Sequence, residues 1–257
     1  MAPRTPTGNA KREAVPARNA ASGVNDTILR CLVPRRIFGA LLLGICFLVV
    51  AGIASNVLKF TFGYRSALGF INLFDLDQEA NIPTWFSSLL LFSNAILLGL
   101  ITTAMTASRD RWRWHWGALA FIFVMLSLDE MASIHERTNV PIRNALDLSG
   151  AFYFAWVVPA AILVLVFAIL YLRFVLALPR RSRWLFVVAG AIFVSGALGV
   201  EMIGSVYASA HGRNDLVYAL IASGEEVLEM IGLATFIYAL TDYIRSKFNN
   251  LILRFNT

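Results

Sequence analysis

The sequence predicts an all-α polytopic membrane helix bundle with six transmembrane helices and both termini cytoplasmic, and three observations carry that prediction. Hydrophobic residues make up 58% of the 257 positions and the mean hydropathy is +0.67, against the roughly 45 to 50% apolar usage of soluble domains. Six apolar runs, at about 37–58, 84–107, 116–137, 152–178, 185–207 and 217–240, each come close to the roughly 20 residues a helix needs to cross about 30 Å of hydrocarbon. Basic residues are then distributed unevenly between the two sets of connections. One set carries Arg4, Lys11, Arg12, Arg18, Arg30, Arg35, Arg36, Arg109, Arg111, Arg113, Arg180, Arg181, Arg183, Arg245, Lys247 and Arg254; the other carries only Lys59, Arg65, Arg137, Arg143 and Arg213. Positive charge accumulates on the cytoplasmic side of membrane proteins, so an even number of spans puts both ends of the chain there.

Residues 1–36 are rich in Pro, Ala, Asn and Arg without apolar periodicity, a composition that cannot offset the entropy of ordering, and they read as a disordered basic cytoplasmic tail. The charged stretch before Ile37 is too long for a cleavable signal peptide, and Glu13 and Asp26 interrupt a transit-peptide pattern. The transmembrane domain is expected over 37–245 and a cytoplasmic C-terminal tail over 246–257. Cys31 and Cys46 have no metal-ligand spacing and suggest no disulfide framework. The net charge of +6 is explained by membrane orientation, so nucleic acid is not an expected partner. Membrane lipids are, together with a membrane-protein partner or a second copy of the chain.

The first outer connection, about 59–83, holds Phe74-Asp75-Leu76-Asp77-Gln78-Glu79-Ala80-Asn81-Ile82-Pro83-Thr84-Trp85. Pro83 suits the first turn of a helix, and Trp85 suits the aromatic belt at a membrane surface. Its mixture of Phe and Leu with acids predicts a short helix lying on the membrane or folding into it. Asp75, Asp77 and Glu79 are read most simply as solvated loop acids, with a contribution of one ligand to a metal site as the lesser alternative, and His115 and His211 as ordinary interfacial or loop residues.

Acids recur where lipid is expected: Asp129, Glu130, His135 and Glu136 on the third run, Glu201 on the fifth, and Glu225, Glu226 and Glu229 on the sixth. Ionisable residues inside a membrane are costly and mark functional sites by default. At about 1.5 Å rise per residue, the three helices bring these groups to one layer in the outer half of the bilayer. Glu225 and Glu229 share a helix face, with Glu226 on its flank. Glu201 lies in line with Ala197 and Ser205 and beside Gly204, small residues that let membrane helices approach closely. On one continuous third helix Asp129 and Glu136, seven apart, share a face, whereas His135 and Glu130 flank it on opposite sides; all four converge only if the helix is distorted.

The cations nearest to this group in sequence are Arg137 and Arg213, too few to neutralise it. Either several carboxyls are protonated, as desolvation and like charge favour, or a multivalent cation holds them ionised. Carboxylates with one imidazole suit oxygen-preferring metals or zinc with a water. The expectation is therefore a metal site of Asp129, Glu130, His135, Glu136, Glu201, Glu225, Glu226 and Glu229, holding Fe, Mn or Zn and with room for two ions. Its simplest function is metal-dependent catalysis on a lipid or apolar small molecule, with Glu226 or Glu130 as general acid or base. A cation or proton transporter using the same acids, and an accessory subunit of a larger membrane complex, are the alternatives. The inner halves of the third, fifth and sixth helices are almost wholly apolar, which counts against full translocation.

The chain has no His-Glu-x-x-His run, no Gly-x-Ser-x-Gly elbow and no phosphate-binding loop. The pair Glu225-Glu226 is shared with intramembrane prenyl-protein proteases of the CAAX type, but Met230 stands where those have Arg, and no matching His motif follows. Taken together, Asn81-Ile82-Pro83-Thr84-Trp85, Ser127-Leu128-Asp129-Glu130, Ile134-His135-Glu136, Glu201-Met202-Ile203-Gly204 and Glu225-Glu226-x-x-Glu229-Met230 resemble an uncharacterised family of multi-pass bacterial inner-membrane proteins over most of residues 37–245. The resemblance implies a bacterial inner membrane and no particular activity.

Overall fold

The structure, a computed structural model, describes residues 33–255, with side chains through Lys247; the reading of residues 1–32 as a disordered tail lies outside the described residues. Among the described residues, six helices are long and apolar enough to cross a membrane: α1 (Pro34–Phe60), α3 (Ile82–Ala107), α4 (Arg113–Ala132), α6 (Val157–Ala177), α7 (Arg180–His211) and α8, whose candidate span is Leu216–Lys247 within a helix that continues to Phe255. Two short helices, α2 (Phe70–Phe74) and α5 (Ile134–Leu146), lie between them. The last helix thus runs past position 245 as one rod.

α8 is the central strut. Its most apolar window is 61% buried, against 11% for α4 and for α6. Met230, Leu233, Ala234 and Ile237 of α8 pack with Ile45 and Leu48 of α1, Leu90 and Leu91 of α3, and Leu76 of the loop between α2 and α3. Hydrocarbon chains solvate Leu as well as Leu does, so membrane helices associate through close packing and hydrogen bonds, and both are present here. Gly232 permits the backbone of α7 to come in at Phe193, where an added Cβ would lie 2.7 Å from the Phe193 nitrogen. Gly196 does the same against the Glu225 carbonyl, at 2.9 Å. Asn94 Nδ2 donates to the Leu233 carbonyl at 3.2 Å, and Asn56 Nδ2 donates to Ser223 Oγ at 3.2 Å. The Asn56 contact at one end and the Phe38–Tyr238 ring pair (5.6 Å) at the other set α1 antiparallel to α8.

The connection after α1 folds back into the bundle. Ser55 Oγ donates to the Ile71 carbonyl at 3.1 Å, and Gly52 leaves space that Leu76 fills, its Cδ1 being 2.6 Å from where a Cβ would stand. Gly52 lies about 12 Å along the axis from the end of α1 at the usual helical rise, so Phe74–Leu76 reach that far down. Asp75 is fully buried and bonded to Lys59 Nζ at 2.8 Å, which corrects its reading as a solvated loop acid. Asn81 caps α3 by accepting from Thr84 N–H at 3.1 Å, while its Nδ2 donates to the Asp75 carbonyl at 2.6 Å. These bonds pin the segment that carries Glu79.

Two helices are less buried in the bundle. α4 is fastened to α3 by reciprocal bonds, Ser88 Oγ to the Ser127 carbonyl and Ser127 Oγ to the Ser88 carbonyl, each 3.0 Å. α6 begins only at Val157, because 147–156 are turns and a short 3-10 helix (Gly150–Phe152). Val157 and Tyr171 are buried, yet no residue of α6 between them is.

At Gly232 any side chain would collide with the α7 backbone, and overpacking of this kind costs about 1 to 3 kcal/mol. Gly232→Val is expected to lower the thermal midpoint of the detergent-solubilised protein by several degrees, whereas Gly99→Val, where an added Cβ meets nothing within 4 Å, leaves it unchanged.

Candidate functional site: a carboxylate and imidazole cluster

The third membrane helix does not run through to Arg137 as its apolar pattern suggests. It stops at Ala132, Ser133 takes a left-handed conformation (φ 51°), and α5 starts at Ile134 on a new axis. A non-glycine residue rarely adopts positive φ, and the compensation is local. Asp129 Oδ1 accepts the His135 backbone N–H at 2.9 Å, and Asp129 Oδ2 meets His135 Nδ1 at 2.8 Å. The break is the distortion that convergence required. It folds His135 back over the end of α4, so Asp129 and His135 meet directly.

With Nδ1 engaged by Asp129, His135 has Nε2 left to offer. Ligand atoms of Glu79, His135 and Glu136 lie within 4.8 Å of one another. Glu79 arrives from the folded-back loop, and its Oε2 is buried without a hydrogen-bond partner. Sequence reasoning held Glu79 only as a lesser alternative and left it out of the expected ligand set. The signal was there in the apolar residues interleaved with the acids of 74–79 and in the Asn81 cap that follows.

The other expected ligands gather on the bundle side of this trio. Glu130, Glu226 and Glu229 are within one another's electrostatic reach, as Glu229 is of His135 and Glu201. Glu225 and Glu201 are likewise near enough to act on each other electrostatically. Their meeting depends on α7, in which Ser195–Val200 form a π-helical segment immediately before Glu201. Such single-turn segments shift the register of every residue beyond them and occur often at functional sites. Gly196 brings this segment against the Glu225 carbonyl. Trp156 Nε1 donates to Glu201 Oε1 at 2.7 Å, and its ring lies 4.7 Å from that of His135. Among the described residues, no second group of three matches the spacing of Glu79, His135 and Glu136. Asp129, Glu130, Glu201, Glu225, Glu226 and Glu229 adjoin that group rather than complete it.

Positive charge is scarce. Lys59 is taken by Asp75, Arg143 lies over the Tyr153 ring at 4.3 Å, and Arg213 lies over Phe154 at 5.8 Å, near Asp77. Arg137 is exposed, as is His211, which stacks on Tyr207 at 4.6 Å. His115 is at the opposite end of α4, stacked on Phe174 at 5.6 Å. Burial pulls the His135 imidazole down, but the Asp129 hydrogen bond and the charges of Asp129, Glu136 and Glu79 more than reverse this and push it up to about 9. Burial, and then the charge of Glu136, raise Glu79 above the usual carboxylate range.

A helical bundle with six membrane-crossing segments and an acid and imidazole cluster where α4, α5, α7, α8 and the folded-back loop meet defines a multi-pass membrane protein. The chain belongs to the family described as a domain of unknown function, DUF8692, whose model matches residues 37–243. No curated protein and no solved structure matches it.

In the metal-free protein the raised value of His135 makes its contribution to stability full below about pH 6.5 and lost as pH rises through about 9. The thermal midpoint of the wild type is expected to fall toward that of His135→Gln across this window. A gap between the two that stays constant from about pH 6 to pH 10 would rule out the Asp129 and His135 pair as its source.

Proposed function

We propose that this is a bacterial inner-membrane protein with a carboxylate and histidine metal site in the outer half of the bilayer, acting as a metal-dependent enzyme on a lipid or apolar small molecule. The observation that carries the reading is the trio Glu79, His135 and Glu136 within 4.8 Å, with Asp129 on Nδ1 of the imidazole. Metal-binding histidines usually give their other ring nitrogen to a carboxylate, which fixes the tautomer and raises ligand basicity. Ligand bonds to Zn, Fe or Mn are about 2.0 to 2.2 Å, so the trio needs to close by only about an ångström around an ion. Two carboxylates and one imidazole suit Fe, Mn or Zn and leave coordination positions open.

When bound, such an ion lowers the pKa of a coordinated water and polarises an acyl or phosphoryl oxygen. The chain supplies the rest. Asp129 orients His135, and Trp156 holds Glu201 beside it. Glu130 or Glu226, adjoining the trio, takes or returns a proton. Glu201, Glu225 and Glu229 extend the acids toward the bundle axis and provide for a second ion. An apolar substrate is favoured by the stand-off of α6, which leaves the flank of the bundle open to lipid between Val157 and Tyr171. Passage of ions right through the bundle is disfavoured because the next turns of α8 bury Met230, Leu233, Ala234 and Ile237 in an apolar core.

Elemental analysis of the full-length protein, purified in mild detergent and reloaded after chelation, tests the site. The wild type is expected to hold stoichiometric Fe, Mn or Zn. Glu79→Gln and His135→Gln lose it, and Asp129→Asn weakens it about 10- to 100-fold. Loss in Glu201→Gln and Glu225→Gln as well assigns the deeper acids to the same centre. A metal-free wild type that drives proton-coupled uptake into vesicles makes the acids a relay and overturns the proposal.

A further inference from the structure

A second polar feature lies at the opposite end of the bundle, about 20 Å along α4 from Asp129 at the usual helical rise. There the turn between α3 and α4, the turn between α6 and α7 and the last part of α8 enclose a cleft of about 420 Å³. Trp112, Trp116, Phe174 and Tyr243 wall it, and Asp110 and Lys247 carry opposite charges within it. The walls are rigid. Trp116 and Phe174 are each 1% exposed, their rings meet edge to face at 4.9 Å, and Tyr243 lies 5.1 Å from Trp116.

Asp110 and Lys247 do not satisfy each other. Among the described residues neither takes part in a salt bridge. Asp110 Oδ1 accepts the Trp112 N–H at 2.7 Å, and the ammonium of Lys247 reaches only Met105 Sδ at 3.4 Å and the face of the Tyr243 ring at 5.9 Å. A half-buried carboxylate and a half-buried ammonium are thus held apart across one aromatic-walled space. Aromatic faces attract cations, most strongly when those are partly desolvated, and cages of this kind recognise ammonium groups. Trp112 already carries the Arg111 guanidinium over its ring at 4.7 Å. A ligand that complements the cleft carries an ammonium for Asp110 and the arenes and an anion for Lys247, on one short linker. The cleft lies where α3 and α6 end and α4 and α7 begin, all long and apolar enough to cross a membrane.

We propose that the cleft between Asp110 and Lys247 binds the headgroup of a zwitterionic phospholipid, with the amine against Asp110 and the aromatic walls and the phosphate on Lys247. A volume of about 420 Å³ falls within the ordinary range for small-molecule sites. The site is separate from the acid and imidazole cluster and does not depend on the activity proposed for it.

Native mass spectrometry of the full-length chain in mild detergent tests this, with phosphatidylethanolamine, phosphatidylcholine and phosphatidylglycerol of identical acyl chains as probes. The two zwitterions are expected to be retained at roughly tenfold lower concentration than phosphatidylglycerol, which has no amine. Asp110→Asn keeps the oxygen that accepts from Trp112 and removes only the charge; it and Lys247→Gln are each expected to cut zwitterion retention about fivefold, with thermal midpoints unchanged. If a variant melts early, the wild-type preference over phosphatidylglycerol decides alone. Equal retention of the three lipids, retention of none, or variants that bind like the wild type would overturn the proposal.

Discussion

Asp129 grips His135 twice, by the backbone N–H and by the ring, and the geometry of the acidic end of the bundle follows from that grip. A left-handed serine at the end of a membrane helix is costly, and the two bonds from one carboxylate offset the cost. Without the turn at Ser133, helical phase would carry His135 around α4 to the side opposite Glu130. With it, the imidazole stands between the loop that brings Glu79 and the tryptophan that holds Glu201. The surrounding elements are placed to meet it. The Asp75 and Asn81 bonds fix the loop, the serine pair fixes the height of α4 on α3, and the π-helical segment of α7 sets the bearing of Glu201.

Much of this architecture was legible in the amino-acid sequence because the membrane imposes one simple rule. Backbone polar groups in hydrocarbon must be satisfied within the chain, so long apolar runs become helices. Six runs gave six helices among the described residues. The remainder depended on contacts between residues distant in sequence. Nothing in the run from Leu128 to Glu136 announces that the helix stops at Ala132, because the Asp129 bonds to His135 that reward the break are not those of a continuing helix. Asp75 looked like a loop acid, since the lysine that balances it stands sixteen residues earlier and the bulk that buries it comes from Gly52 making way for Leu76. The start of α6 at Val157 was masked by Phe152, Tyr153 and Phe154, which are as apolar as a span but pack in turns: Phe154 lies against Ala208, Tyr218 and Ala222.

The two ends of the bundle solve the same electrostatic difficulty differently. At one end carboxylates crowd together with hardly a cation among the described residues. At the other, one acid and one base line the same aromatic-walled cleft without pairing. Between them lies the apolar contact of α8 with α1 and α3.

α6 touches its neighbours where Val157 is buried and again where Tyr171 donates to the His115 carbonyl and Phe174 meets Trp116, and its intervening turns lack any buried residue. Such a segment is constrained as a hasp is, by its two fastenings. Over generations its middle is free to drift among Leu, Ile, Val, Ala and Phe, so long as it stays oily, while Tyr171 and Phe174 are held in place by what they grip. Sequence divergence concentrated in these three turns would reflect loose mechanical coupling and carry no message about a change of substrate.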